Sequence, residues 1–265
     1  MATKSSARLD RKPPDHIRVY RLPAADVLAR LPPGSINVLV TDPPYATVDR
    51  RPKSGYLKDW FRGSLSWRDI GRLLATARRK LAPDGLAFVM TNEAGLDPAI
   101  DAMKAAGFVQ PVRIIVWDRQ SPGLGMGLRH QVEYVLVGRL PGSRTLTGTD
   151  LVSVGAVGPG TADRYPTQKP EGLGRALAKM AGIGPSDLVV DPFCGSGALL
   201  VGAAERGATV IGSDISARAV GLAMKRLRTA VGGRCSSLEG RRSAATAASR
   251  NSARGTARPA RKTKR

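Results

Sequence analysis

The segment Asp42-Pro43-Pro44-Tyr45 carries groups that could bind a planar base through its amino group. It follows the apolar run at residues 37–41, which is typical of a strand buried on both faces. Two consecutive prolines fix φ and remove two backbone donors, so we expect the carbonyls around them to be free acceptors on a rigid loop. The carboxylate of Asp42 adds an acceptor, and Tyr45 adds a flat ring for stacking. The segment is therefore a candidate catalytic loop, although a plain Pro-Pro turn after a strand would have the same sequence.

Residues 186–214 form a second pattern, which predicts a strand, a glycine turn, a helix and a second strand. The first strand ends at Asp191, the turn contains Gly195 and Gly197, the helix spans 198–207, and the second strand ends at Asp214. Glycine permits positive φ and lets a ligand approach the backbone, and free N–H groups at a helix start suit an anionic group. Asp214 follows Asp191 by 23 residues, near the spacing at which an acid meets ribose hydroxyls. Because the glycines lack the dinucleotide spacing, we expect a smaller, nucleoside-like ligand; the alternative is an ordinary βαβ turn with a solvated Asp.

Together the two patterns resemble the paired signatures of the S-adenosylmethionine-dependent amino-methyltransferases of DNA, which modify adenine N6 or cytosine N4. The catalytic loop precedes the cofactor turn, as in the circularly permuted beta class of that family. A third segment, Tyr-Pro-Thr-Gln-Lys-Pro at 165–170, resembles the family's His-Pro-Thr-Gln-Lys-Pro, with Tyr165 where His is usual. The resemblance covers about residues 17–230. It implies a single Rossmann-like α/β domain with a mostly parallel mixed sheet.

The resemblance also implies roles for the matching residues. Asp42, Pro43, Pro44 and Tyr45 would be catalytic, with a carboxylate oxygen of Asp42 and the Pro43 carbonyl accepting the two hydrogens of the target amine. The cofactor S-adenosyl-L-methionine would be bound by Asp26, Thr167, Lys169, Asp191, Phe193, Gly195, Gly197 and Asp214. In this assignment Asp26 receives the adenine amino group of the cofactor, and Lys169 lies near its carboxylate. The alternatives are a helix N-cap for Asp26, a solvated lysine at 169 and plain core packing for Phe193. No metal site is predicted, and Cys194 is not expected to act as a nucleophile.

The segment at 46–65 interleaves basic and aromatic side chains next to the catalytic loop. Basic groups suit phosphates and aromatic rings suit unstacked bases, so we predict a nucleic-acid contact by Arg50, Arg51, Lys53, Tyr56, Lys58, Trp60 and Arg62. An ordinary surface loop is the alternative. Because a base amine is buried in the duplex stack, the target base must be extruded before chemistry.

Adenine N6 is the expected target, since the family's cytosine enzymes more often carry Ser where Asp42 stands. Cytosine N4 is the first alternative, and an RNA base or a protein amide is a further one. A noncatalytic DNA-binding protein that retains the fold is the alternative from a different class.

Composition bounds the partners and the location. The 265 residues carry a net charge of +21, which favours a polyanionic partner such as double-stranded DNA, although an Arg-rich composition can also reflect genomic base content. Two cysteines form no disulfide framework, and the sequence shows no membrane span or signal core, so a cytoplasmic location is expected. The sequence leaves a homodimer and a restriction endonuclease partner open.

Residues 16–230 are expected to form the methyltransferase domain, with 1–15 as a flexible N-terminal segment. We predict strands at 16–20, 37–41, 86–91, 111–117, 132–138, 186–191 and 208–214, alternating with helices. One helix is predicted to begin after Ser66, which forms a capping sequence with Asp69, and to run to Leu81, where the turn Pro83-Asp84-Gly85 ends it. Residues 140–164 would be a short target-recognition insert. The tail at 231–265 carries ten Lys or Arg against one acid and almost no large apolar residue, so it is expected to be disordered. It would either tether DNA or have no role.

Overall fold

The computed structural model describes residues 16–45, 64–123, 126–158, 165 and 167–232 of the chain. Its strands are β1 (Ile17–Tyr20), β2 (Ile36–Thr41), β3 (Leu81–Thr91), β4 (Arg113–Asp118), β5 (Val132–Arg139), β6 (Leu151–Ser153), β7 (Leu188–Asp191) and β8 (Thr209–Ser213). Its helices are α1 (Ala24–Arg30), α2 (Trp67–Arg78), α3 (Leu96–Ala105), α4 (Glu171–Met180), α5 (Val201–Glu205) and α6 (217–232), with 3-10 turns at Glu93–Gly95 and Ala198–Leu200.

The strands form one eight-stranded sheet in the order β1-β8-β7-β2-β3-β5-β4-β6. Every neighbouring pair is parallel except the two pairs that involve β5. Strands β2 and β7 are direct neighbours, with Val38 opposite Val189 and Leu39 opposite Val190. Since parallel strands end at the same edge of a sheet, the catalytic loop after β2 and the glycine turn after β7 lie side by side. The predicted α/β fold with a mostly parallel mixed sheet is confirmed.

Apolar side chains cover the sheet on both faces. On one face Val27, Ile70 and Met103 bring α1, α2 and α3 against the sheet. On the other face Leu177 of α4 and Leu227 of α6 belong to a second buried cluster. Both layers are needed because parallel strands are apolar on both sides and must be screened from water on both.

The structure differs from the prediction between α2 and the middle of β3. We expected the helix to continue to residue 81 and the strand to begin at 86, with Pro83-Asp84-Gly85 as a turn. Instead α2 ends at Arg78, and β3 already pairs with β2 at Leu81. The pairing register then shifts, because the next pair is Leu86 with Val38, so residues 82–85 form a bulge inside the strand. A Cβ on Gly85 would lie 2.8 Å from the Ile36 carbonyl oxygen, which explains a glycine there.

Two smaller differences concern the last third of the chain. The predicted helix at 198–207 is a 3-10 turn followed by the five-residue helix α5. The strand β6 was not predicted, because three residues give too short a pattern to identify. It pairs with β4, and Trp117 Nε1 donates to the Val154 carbonyl 2.8 Å away, so part of segment 140–164 belongs to the sheet.

Candidate active site

The catalytic loop is held by its own backbone. The Pro43 carbonyl accepts the Tyr45 N–H at 2.8 Å, and the Pro44 carbonyl accepts the Leu65 N–H at 2.7 Å. The prediction that both carbonyls are free is therefore wrong. A carbonyl oxygen has two lone pairs, so that of Pro43 keeps one for a further donor. The second bond ties the loop to the residues that lead into α2, and it fixes the direction in which Tyr45 leaves the sheet.

One aromatic partner of the loop was missed by the sequence analysis. The rings of Tyr45 and Trp67 stack, with centroids 5.2 Å apart and an interplanar angle of 22°. Trp67 is the first residue of α2, whose N-cap Ser66 accepts the Asp69 N–H at 3.1 Å, as its capping sequence predicts. Burial, and secondly the charge of Asp42, raise the pKa of the Tyr45 hydroxyl, so it stays protonated at neutral pH.

Lys169 lies next to the catalytic loop, and its side chain is mostly buried. Its Nζ is 2.8 Å from Asp42 Oδ2 and 3.2 Å from Glu133 Oε2, and only 12% of its side chain is exposed. Burial lowers the pKa of Lys169, but the carboxylates of Asp42 and Glu133 raise it by more, so the net shift is upward. The alternative of a solvated lysine is therefore wrong. Its contact with the cofactor carboxylate stays a prediction.

Glu133 was not identified from the sequence as a site residue. It lies on β5, opposite Trp117 of β4, and its Oε1 is 3.6 Å from Arg119 Nη1. The Trp117 ring lies beneath the ammonium of Lys169, with Nζ 5.9 Å from the ring centroid. The sequence did contain a signal for Glu133, because it is a carboxylate within a mainly apolar strand. A buried carboxylate needs a partner that offsets its loss of hydration.

The glycine turn has the backbone that its sequence predicts, with φ of 50° at Gly195 and 76° at Gly197. The groups that approach these residues belong to the chain itself. A Cβ on Gly195 would lie 2.9 Å from Cζ of Tyr165, and one on Gly197 would lie 2.9 Å from Cβ of Ala223. Internal packing therefore requires both glycines, and the expected close approach of a ligand is not needed to explain them.

Two carboxylates end the strands on either side of this turn. Asp191 is buried and accepts the Phe193 N–H at 3.0 Å, while Asp214 accepts the N–H groups of Gly195 at 3.1 Å and Ser216 at 2.8 Å. Burial raises the pKa of Asp191 well above its ordinary value, and the charge of Asp42 adds to the shift. Burial also raises the pKa of Asp214. Such carboxylates fit hydroxyl or ammonium donors of a nucleoside-like cofactor, because a donor would offset their desolvation.

Cys194 in the turn is buried, and burial raises the pKa of its thiol well above the ordinary value. The thiolate is therefore disfavoured at neutral pH, which agrees with the expectation that this residue is not a nucleophile.

Tyr165, the departure from the family pattern, packs its ring on Gly195. Burial and the charges of Asp214 and Asp42 raise the pKa of its hydroxyl. Its ring thus contacts the glycine turn, and its hydroxyl is near enough to Asp42 for that charge to affect its pKa.

Gln168 and Glu171, which follow Tyr165 in the chain, are held by α6. Arg226 donates to Gln168 Oε1 at 2.9 Å, to Glu171 Oε1 at 3.0 Å and to the Ser196 carbonyl. This arginine was also missed, and it joins the segment that carries Lys169 to the glycine turn. Thr167, in the same segment, is exposed and has a φ of 56°, which is unusual for a β-branched residue.

Asp26 and Phe193 lie near the same edge of the sheet. The helix α1 begins at Ala24 with Pro23 as its N-cap, so the alternative in which Asp26 is the N-cap is wrong. Asp26 is exposed in the first turn of α1, and its cofactor contact stays a prediction. Phe193 and Pro43 line one apolar cavity together with Leu28. The two motifs therefore border the same small void, which core residues of α1 and α2 also line.

The seven predicted nucleic-acid contacts, Arg50, Arg51, Lys53, Tyr56, Lys58, Trp60 and Arg62, lie outside the described residues. Within the described ranges no group of three or more His, Cys, Asp or Glu side chains could hold a metal ion. No helix in that part of the chain is long and apolar enough to cross a membrane.

Comparison with known proteins gives a family match and a fold match. Residues 141–225 match the family described as DNA methylase. Among curated proteins, the tRNA (guanine(10)-N2)-dimethyltransferase of Methanothermobacter thermautotrophicus is 38% identical over 56 residues, which are 21% of this chain and 17% of that protein. The match thus spans about a sixth of that relative's length.

The similar solved structures cover nearly the whole of their own chains. A protein of Thermus thermophilus assigned as a DNA modification methylase has a TM-score of 0.60 at 22% identity, covering 82% of this chain and 96% of its own. The complex of M1.HpyAVI with S-adenosylmethionine has a TM-score of 0.60 at 19% identity, covering 80% and 98%. PvuII DNA methyltransferase, which is cytosine-N4-specific, has a TM-score of 0.59 at 16% identity, covering 84% and 97%. At these identities the likeness concerns the fold.

The family match and the shared fold agree with the two motifs that meet at one sheet edge. The chain thus matches the DNA methylase family over residues 141–225, and it shares the fold of DNA methyltransferases of known structure.

Proposed function

We propose that this protein transfers the methyl group of S-adenosyl-L-methionine to the exocyclic N6 of adenine in double-stranded DNA. The observation that carries the proposal is the meeting of two sequence-distant motifs on neighbouring parallel strands, with Asp42 after β2 and Asp191 at the end of β7. Asp42 is close enough to affect the pKa of Asp191, so an amine at the first motif and a cofactor at the second would be adjacent.

Asp191 and Asp214 are the residues best suited to hold the cofactor, since both are carboxylates with raised pKa beside the turn. Phe193, Gly195, Gly197, Thr167 and Asp26 are assigned to the same site by the family resemblance. When bound, the cofactor supplies an electrophilic methyl group on a sulfonium.

Asp42 and Pro43 are proposed to hold the target amine. Lys169 binds Asp42 Oδ2, which leaves the other carboxylate oxygen as an acceptor. That oxygen and the remaining lone pair of the Pro43 carbonyl can accept the two amine hydrogens. The bonds orient the nitrogen lone pair and stabilise the positive charge that develops on this nitrogen. Asp42 is then placed to take the proton that the nitrogen releases.

Tyr45 is proposed to stack on the extruded base. Trp67 covers one face of the Tyr45 ring, so the base would use the opposite face. Pro44 contributes by holding Leu65, which fixes the path of the chain from Tyr45 toward α2.

Cytosine N4 is the second candidate target, because a carboxylate can accept hydrogens from either amine and one structure with this fold is a cytosine-N4-specific enzyme. Nucleoside mass spectrometry of methylated DNA separates the two products. We expect N6-methyladenine; N4-methylcytosine alone would overturn the adenine assignment and leave the transfer reaction standing.

The roles of the two motifs can be separated by two variants. Asp42→Ala should abolish methyl transfer while calorimetric titration shows cofactor affinity near that of the wild type. Asp214→Ala should weaken cofactor binding first. Gly197 is unsuitable for this test, because a side chain there would collide with Ala223 and disturb α6. Equal loss of cofactor affinity in both variants would contradict the assignment.

The remaining assignments follow from charge and sequence. The net charge of +21 supports double-stranded DNA as the partner, with residues 50–62 contacting it beside Tyr45. Residues 140–164 are proposed to help read the target sequence, and the basic tail at 231–265 to tether DNA. A cytoplasmic location fits a DNA substrate. A homodimer and a restriction endonuclease partner stay open.

A further inference from the structure

The loop that joins β4 to β5, residues 119–131, has a firmly anchored base. At its base the Arg119 N–H donates to the Gln131 carbonyl at 3.0 Å, and the Gly123 N–H donates to the His130 carbonyl at 2.8 Å. Asp118 Oδ1 accepts the Gln120 N–H and the side-chain amide of Gln131, both at 2.8 Å. The described residues at the base of this β4–β5 loop are therefore held in place next to the two strands.

The loop presents two apolar side chains entirely to solvent. Met126 and Leu128 are 100% and 101% exposed, with Gly127 at a φ of 75° between them. The other exposed large apolar residues of the described chain reach between 38% and 55%. Single exposed apolar residues are common on protein surfaces, but two fully exposed ones separated by a single residue form a small apolar surface that a binding partner could cover.

The β4–β5 loop leaves the same edge of the sheet as the catalytic loop, because strand β4 runs in the same direction as β2. Strands β3 and β5 lie between them. A chain of charged contacts links the two loops, from Arg119 to Glu133 at 3.6 Å, to Lys169 at 3.2 Å and to Asp42 at 2.8 Å.

A second contact places the loop on the Tyr45 side. His130 Nδ1 is 2.9 Å from Oε2 of Glu93, and the backbone of the preceding residue, Asn92, hydrogen-bonds the Tyr45 hydroxyl. His130 of the loop is thus linked to Tyr45 through the adjacent residues Glu93 and Asn92.

Charge and size indicate what could cover the tip. Residues 119–131 contain Arg119, Arg129 and His130 and no acid, which suits a polyanion. Two side chains offer far less area than the roughly 800 Å² per partner of a stable protein interface. Apolar side chains of this kind can enter the space between base pairs, where successive bases are about 3.4 Å apart.

We propose that Met126 and Leu128 enter the duplex and fill the gap that the extruded target base leaves behind. This inference rests on the proposed methylation of duplex DNA. It adds a duplex-opening element to the catalytic loop: the two side chains replace the stacking that the flanking bases lose when the target nucleotide leaves.

The test compares two substrates under single-turnover conditions. One is a fully paired duplex containing the target base, and the other is the same duplex with an abasic site opposite that base, where little pairing must be broken. The variant Met126→Ser with Leu128→Ser should transfer methyl at least 10-fold more slowly to the paired duplex and within about 3-fold of the wild type to the abasic one. A 2-aminopurine at the target position should show correspondingly less fluorescence increase with the variant on paired DNA.

Two further variants separate apolarity from loop integrity. A second double variant, Met126→Leu with Leu128→Met, keeps both side chains apolar. It should transfer methyl to the paired duplex at a rate near that of the wild type. Arg72→Ala, on the exposed side of α2, controls for general effects of surface substitution.

Equal loss on both duplexes, or no loss on either, would overturn the wedge role. A change from dimer to monomer in sedimentation, with the substrate ratio unchanged, would assign the tip to self-association and also overturn it. Absence of transfer to either duplex by the wild type would instead refute the proposed function, and this inference with it.

Discussion

Replacing Lys169 with Met tests the buried charge network of the active site. The substitution keeps most of the side-chain volume but removes the ammonium that contacts Asp42 at 2.8 Å and Glu133 at 3.2 Å. Removing one partner of a buried ion pair costs about 3–5 kcal/mol, because the remaining charge is left desolvated. The side chains of Asp42 and Glu133 stay 24% and 18% exposed, so water solvates them in part. We therefore expect a loss of about 3 kcal/mol in the free energy of unfolding.

Chemical denaturation at neutral pH measures this loss, and a thermal scan should show Tm lower by about 6–12 °C for a domain of this size. The pKa of Lys169 is raised in the folded protein, so its stabilising effect is complete below the ordinary lysine value and declines as pH rises through the folded value. The difference between the wild type and the variant should be the same at about pH 7 and about pH 9 and should narrow only above about pH 10.5.

The same variant distinguishes two roles of Lys169 in the reaction. If the ammonium orients Asp42, methyl transfer should fall by about 100-fold, since small displacements of a catalytic group have effects of that size, while cofactor affinity changes little. If the ammonium binds the cofactor carboxylate, cofactor affinity should fall at least as much as the transfer rate. A double-mutant cycle with Asp42→Asn should give a coupling above about 1 kcal/mol. A loss of stability below about 0.5 kcal/mol together with zero coupling would refute the ion-pair argument.

Three other predictions concern the stack, the cofactor and the fold. Trp67→Ala should destabilise the protein by about 2 kcal/mol, because the ring is only partly buried, and it should weaken binding of DNA with an unpaired target base; denaturation and fluorescence titration measure the two effects. Cofactor affinity should fall as pH is lowered through the raised pKa values of Asp191 and Asp214, because donors on the cofactor favour the ionised forms of these carboxylates; calorimetry in two buffers should show proton release on binding. Arg144→Met should cost about 2 kcal/mol, because Asp187 loses a charged hydrogen bond at 2.7 Å. Arg144 outweighs the effect of burial and lowers the pKa of Asp187, so this stabilisation is present above about pH 4 and declines as pH falls through the lower folded value; acid denaturation of both proteins measures it.

The sequence predicted the parts of the site that depend on local order. An apolar strand before Asp42 and another before Asp191 imply two parallel strands, and parallel strands place their following loops at one edge. The positive φ of Gly195 and Gly197 was likewise expected from residue type alone. The Ser66 cap was expected because a capping sequence acts within one helical turn.

The contacts between distant segments could not be predicted in the same way. Lys169 reaches Asp42 only because α4 and the segment before it pack on the face of the sheet opposite α2, and Arg226 of α6 fixes that segment. The positions of Lys169, Asp42 and Arg226 in the sequence do not indicate that these helices pack in this way. The stacking of Tyr45 on Trp67 could not be predicted either, because residues 46–63 separate the two residues in the sequence.

The pattern also failed where geometry overrides residue type. Pro83 and Gly85 have the composition of a turn, yet they lie in a bulge of β3, because the pairing of Leu81 with Ile36 continues the strand on the far side. A bulge lets a strand continue its hydrogen-bonded pairing, but it interrupts the alternation of apolar and polar residues from which strands are predicted.

The central claim is that Asp42 accepts the hydrogens of a DNA base amine beside the bound cofactor. The direct measurement is transfer of a labelled methyl group from S-adenosyl-L-methionine to duplex DNA by the wild type and by Asp42→Ala, at cofactor concentrations that saturate both by calorimetry. We expect labelled N6-methyladenine with the wild type and none above background with the variant. Equal labelling by both proteins would contradict the role of Asp42.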